Sequence, residues 1–96
     1  MVDNEATIKL GDKIILEGFK EIDNASMVIA KKIIGNYIKK ISEKNPKFEN
    51  LTIILNKSKE GFNSNIILVI DKKESRFSNE NANFFMSIDG AFKNIK

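Results

Sequence analysis

Between Asp23 and Lys44 the apolar residues Met27, Ala30, Ile34, Tyr37, Ile38 and Ile41 recur three or four positions apart, and Asn45-Pro46 follows at once. That spacing draws one apolar stripe along a helix. Proline lacks an N–H and restricts the residue before it, so a helix that starts near Asp23 has to stop by Asn45. Pro46 is the only proline in the chain, which makes this the firmest boundary in the sequence. Asp23 or Asn24 is suited to accept an orphan N–H at the start. Lys39, Lys40 and Lys44 fall near the end, where the helix dipole favours cations.

The flanking segments have another period. Thr7 to Phe19 mixes alternation (Ile8, Leu10) with an apolar run (Ile14, Ile15, Leu16), which predicts one or two strands around a turn at Gly11-Asp12. Phe48 to Lys57 and Asn63 to Asp71 read as two further strands joined through Lys59-Glu60-Gly61. Ile66 to Ile70 is apolar on both faces and predicts the more central strand. Lys72, Lys73 and Glu74 make the next turn, and Ser75 to Asn79 a fourth short strand. Helical spacing returns from Asn81 to Ile95, with Phe84, Phe85, Ile88, Ala91, Phe92 and Ile95 on one side.

The expected order is therefore β-α-β-β-β-α, an α+β fold with two helices packed on one face of a four-stranded sheet. Each amphipathic helix needs a surface to cover, and one sheet is on offer. The other sheet face is left solvated or open to a partner. With 96 residues, 42% of them hydrophobic, the chain has material for one core, so residues 1–96 are read as a single domain.

The sequence is poor in reactive groups. It has no cysteine and no histidine, which removes disulfides, thiolate nucleophiles, Cys/His zinc sites and imidazole bases together. Glu17, Glu21, Asp23 and Asp71 show no companion nucleophile, and Asp12, Asp71 and Asp89 fit no calcium-loop pattern, so surface solvation is their expected role. No phosphate-binding glycine loop is present. No enzyme activity, cofactor, metal or small-molecule substrate is expected. The longest apolar run, Ile66 to Ile70, is far shorter than the roughly 20 residues a bilayer requires, and no leader pattern opens the chain. No membrane partner and a cytoplasmic location are expected.

Charge is the feature with positive content. The net charge of +3 is unevenly spread: residues 1–30 carry three lysines and six acids, residues 31–60 eight lysines and three acids. On a wheel of 100° per residue, Lys32 and Lys39 fall almost opposite the apolar stripe of the first helix, with Lys31 and Lys40 on its flanks and Asn36 between them as a neutral donor. Lys93 and Lys96 extend the basic set on the second helix. Such a set suits RNA phosphates, although a merely solvated helix face has the same composition. Gly35 lies inside the first helix, where glycine costs about 1 kcal/mol relative to alanine. Either packing or a close approach would account for it.

The closing stretch Asn83-Phe84-Phe85-Met86-Ser87-Ile88-Asp89 resembles the D-x-Y-x-A-I-D segment that opens the last helix in the ribosome hibernation-promoting factor family, also called ribosome-associated inhibitors. Ile88 and Asp89 match outright, while Asn83, Phe85 and Ser87 replace the aspartate, tyrosine and alanine. The strand Leu51-Thr52-Ile53-Ile54-Leu55, the turn at Gly61 and Arg76-Phe77-Ser78 before the last helix are similar to that family in order and spacing. The resemblance implies a β-α-β-β-β-α domain that lodges in the small ribosomal subunit, contacts rRNA through basic residues on both helices, blocks the mRNA and tRNA channel and inhibits translation as part of a stress response. The family's K-L-x-K-L pattern aligns with Tyr37-Ile38-Lys39-Lys40-Ile41, so Lys40 carries a family lysine directly, and the family lysine of the second helix falls on Asn94. No C-terminal dimerisation domain of the long family members is expected. The competing expectation is a protein-interaction or homo-oligomerisation module that uses the open sheet face.

Overall fold

The computed structural model describes residues 7–10 by their backbone and residues 13–95 in full. The strands are β1 (Thr7–Leu10), β2 (Ile14–Glu17), β3 (Phe48–Ser58), β4 (Gly61–Ile70) and β5 (Lys73–Asn81), with α1 (Asn24–Lys44) after β2 and α2 (Phe84–Lys93) after β5. Together they form an α+β fold whose sheet runs in the order β1-β2-β3-β4-β5. From β2 onward the order is β-α-β-β-β-α. The first segment is thus two strands, and β1 adds an antiparallel edge outside the four expected from sequence.

β2 and β3 pair in parallel, with Leu16 beside Ile53, and the other neighbours are antiparallel. A parallel pair cannot be closed by a tight turn, and α1 supplies the crossover. Asp23 caps α1 by accepting the Ser26 N–H at 3.1 Å, and Asn45 ends it by donating Nδ2 to the Ile41 carbonyl at 2.9 Å. Alternation sends Leu16, Leu51, Ile53, Leu55, Ile66 and Leu68 to one face, where they are buried with Met27, Ala30, Ile34 and Ile41 of α1 and Phe84, Ile88, Ala91 and Phe92 of α2. Burying each large aliphatic or aromatic side chain contributes about 1.5–3 kcal/mol, so this shared layer is the main source of stability. Phe84 meets Phe19 and Phe62 edge-on, with ring centroids 6.0 and 5.6 Å apart. Among the described residues the one polar insertion is Ser64 against Ser87, both fully buried with hydroxyls 2.6 Å apart, so each satisfies the other.

Several boundaries and the central strand differ from those read in the sequence, β4 already starting at Gly61. The turn after β4 is only Asp71-Lys72, with φ of 51° and 66°, so Lys73 and Glu74 already belong to β5. Two consecutive positive φ values match the twist of a two-residue hairpin and are usually supplied by Asn-Gly or Asp-Gly. Here outside contacts hold the turn: Lys72 N–H donates to Glu49 Oε2 at 2.6 Å, and Asp71 N–H to the Lys47 carbonyl at 2.9 Å. β5 also runs on to Asn81, which pairs with Phe62, so α2 begins later than expected, with Asn83 as its cap. The most central strand is β3, with β4 beside it.

Lysine at φ 66° is strained, since its Cβ crowds the following carbonyl. Replacing Lys72 by Gly is expected to raise stability by about 0.5–1 kcal/mol. Denaturant unfolding monitored by circular dichroism reads this as a higher midpoint at unchanged slope.

Candidate nucleic-acid interface

α1 carries five lysines and one acid, Glu43, along 21 residues. Its apolar stripe is buried against the sheet, and the fixed helical period then directs Lys31, Lys32, Asn36 and Lys39 to solvent, where all four are exposed. Lys32 and Lys39 stand about 10 Å apart along the axis, near two full turns. None of these three lysines is in an ion pair among the described residues. The outer face changes character along its length. Val28 and Ile29, about half exposed, precede the lysines, so the face is aliphatic at its N-terminal end and basic from Lys31 onward. The sequence reading missed this aliphatic end, although the same wheel places Val28 opposite the stripe.

Lys40 and Lys93 belong to a different place. Lys40 Nζ lies 5.9 Å from the centre of the Tyr37 ring, and Lys93 Nζ pairs with Asp89 at 3.0 Å. Both line a cleft of about 200 Å³ where the C-terminal ends of the two helices meet, floored by Tyr37, Ile41 and Phe92 and rimmed also by Lys44. Lys44 was read from sequence only as a dipole partner; its place on the rim depends on where α2 docks. The expected set is therefore divided, with Lys31, Lys32, Asn36 and Lys39 on the outer face and Lys40 and Lys93 at the cleft. Lys96 lies outside the described residues. Asn94, on which the family lysine falls, donates Nδ2 to the Ser78 carbonyl at 2.8 Å and so ties α2 to β5.

The cleft wall is a tight polar and aromatic arrangement. Tyr37 stacks on Phe92 with centroids 4.7 Å apart and planes within 1°, and its hydroxyl donates to Asp89 Oδ1 at 2.5 Å. That hydrogen bond, with burial and the carboxylate charge, pushes the Tyr37 phenol up to about 12. Asp89 is held below the usual carboxylate range, first by the Tyr37 hydroxyl and then by Lys93. The two residues that match the family resemblance outright thus have structural positions here: Ile88 is fully buried and Asp89 links the helices.

The acidic candidates do not converge. Asp23 caps α1, Asp71 sits in the β4–β5 turn 3.8 Å from Lys47, and Glu17 and Glu21 are exposed. Asp12 lies outside the described residues. Among the described residues no group of three acidic side chains is placed to hold a metal, and no helix is long and apolar enough to cross a membrane.

Tyr37 is the only tyrosine, so its titration can be followed directly by ultraviolet absorbance. The midpoint is expected near 12 in the native protein and to move back toward the ordinary 10.0 in Asp89→Ala. The linked stability has a definite sign. Tyr37 contributes below its ordinary value and loses that contribution as pH rises through its raised one, whereas Asp89 contributes above the ordinary carboxylate range and loses it as pH falls through its lowered value. A native midpoint near the ordinary value would show that the phenol–carboxylate bond does not form in solution.

No protein-family model matches this sequence, and no curated protein resembles it closely enough to count as a relative.

Proposed function

We propose that this protein is a cytoplasmic ribosome-binding factor that docks on the small ribosomal subunit through rRNA phosphates, occludes the mRNA and tRNA channel and inhibits translation under stress. The observation that carries the reading is the outer face of α1, where Lys31, Lys32 and Lys39 stand exposed with Asn36 and take no part in the ion pairs of the described fold. Fixed, uncompensated cations on a rigid element suit a phosphate backbone, because each contact releases condensed counterions and needs no protein ion pair to break first. Lys40, Lys44 and Lys93 at the cleft continue the positive field around the end of the helix. The β-α-β-β-β-α order and the closing-helix pattern support the ribosomal identity of the polyanion.

A second reading rests on the sheet. Ile15, Ile54, Ile67 and Val69 alternate away from the core onto the sheet face opposite the helices, around Thr52, and are only partly buried there. An aliphatic patch on an open face suits another protein surface, including a second copy. Under this reading the protein sediments as a dimer at high concentration and Ile67→Lys returns it to monomer. A wild-type monomer at every concentration removes self-association.

For the ribosomal reading, binding to purified small subunits is measured against salt. The logarithmic slope is expected at about 0.7–0.9 per phosphate neutralised. Lys32→Gln with Lys39→Gln is expected to reduce that slope by about one to two and to weaken binding, while changing stability by less than about 0.5 kcal/mol. The same exchange at Lys13 and Lys57, which sit over the Phe48 and Phe62 rings and not on this helix, is expected to do much less. Unchanged affinity and slope in the first variant, with circular dichroism showing an intact fold, would reduce the lysine face to a solvated surface.

A further inference from the structure

We propose that Gly35 is the point on α1 where the bound RNA backbone comes into direct contact with the helix; this rests on the RNA reading above. Glycine is the poorest helix former after proline, yet Gly35 stands in the middle of α1 with ordinary helical backbone. A Cβ added there would meet nothing within 4 Å outside the helix's own backbone. The fold therefore gives no packing reason for the missing side chain. The other described glycines are different. Gly18 and Gly61 have positive φ, and a Cβ would run into the Leu55 carbonyl at the first and, at the second, lie 2.5 Å from the Asn81 carbonyl oxygen. At Gly90 a Cβ would collide with the Asn79 side chain, which donates Nδ2 to the Met86 and Ser87 carbonyls.

The surroundings of Gly35 say what approaches it. On a helix surface the neighbours of a residue lie three and four positions away. For Gly35 these are Lys31, Lys32, Ile38 and Lys39, so three exposed cations and a half-buried isoleucine border a spot with no side chain, and Asn36 is next to it in sequence. Such a spot admits a narrow anionic backbone down to the helix while the lysines close on phosphates to either side. A methyl group would hold the strand away and lengthen every flanking contact.

The experiment compares wild type, Gly35→Ala and Gly35→Leu by thermal melting and by binding to purified small ribosomal subunits. Both replacements improve helix propensity, so Gly35→Ala is expected to raise Tm by about 4–8 °C. Affinity is expected to move the other way, falling about tenfold for Ala and further for Leu. More stability with less binding is a pairing that a merely structural glycine does not give. Variants that bind as wild type does overturn the proposal while leaving the RNA reading intact. A wild type that fails to bind the subunit overturns the reading beneath it. Weakening seen with intact subunits but absent with protein-free rRNA would mean that a ribosomal protein occupies the spot, and would also overturn the proposal.

Discussion

The parallel pairing of β2 with β3 is the constraint on which the rest of the molecule depends. Two parallel strands must be joined end to start, and the chain makes that return as α1, lying across the sheet. Once Met27, Ala30, Ile34 and Ile41 of α1 join Leu16, Ile53 and Ile66 in the core, its opposite face is committed to solvent and the far face of the sheet is left open. The lysine face and the aliphatic sheet patch thus share one cause. They are the two surfaces of a two-layer fold that the packing does not use.

The second helix is fixed by different means. α2 docks on β4 and β5 through Phe84, Ile88, Ala91 and Phe92, and Asn79 and Asn94 hydrogen-bond across the β5 boundary. Its contact with α1 is narrow and rests on Tyr37, which offers a flat ring to Phe92 and a hydroxyl to Asp89. A narrow contact that mixes stacking with a charge-assisted hydrogen bond sets the separation of the helix ends. That separation leaves the small cleft beside the last turns. On its rim Lys44 and Lys93, in the last turns of the two helices, also face the negative ends of the helix dipoles, a local electrostatic role that Lys31 and Lys32 of the outer face lack.

This difference sorts the cations. Lys93 is paired, Lys40 lies near an aromatic ring and Lys47 faces Asp71, whereas Lys31, Lys32 and Lys39 have no such engagement in the described fold. A cation with a partner gives up that interaction before it can bind a phosphate, and an unengaged one does not. The outer face of α1 is therefore the better-prepared part of the basic surface, and Gly35 lies at its centre.

The sequence by itself determined the stop of α1 at Asn45-Pro46, the stripe it buries, a cap at Asp23 or Asn24, of which the structure uses Asp23, and the outward direction of Lys32 and Lys39. All of these follow from local covalent geometry and a fixed period of 3.6 residues. It also determined the alternation that sorts β3 into two faces. The Asp71-Lys72 turn was hidden because its positive φ values are held by Glu49 of β3 and Lys47 just before that strand, with no glycine to announce them. The diversion of Lys40 and Lys93 to the cleft, the bond between Tyr37 and Asp89 and the empty space over Gly35 were decided only by the tertiary structure. Each depends on which distant segments meet, and the meeting is set by the whole sheet and its two helices, since no local spacing encodes a contact between residues 52 positions apart.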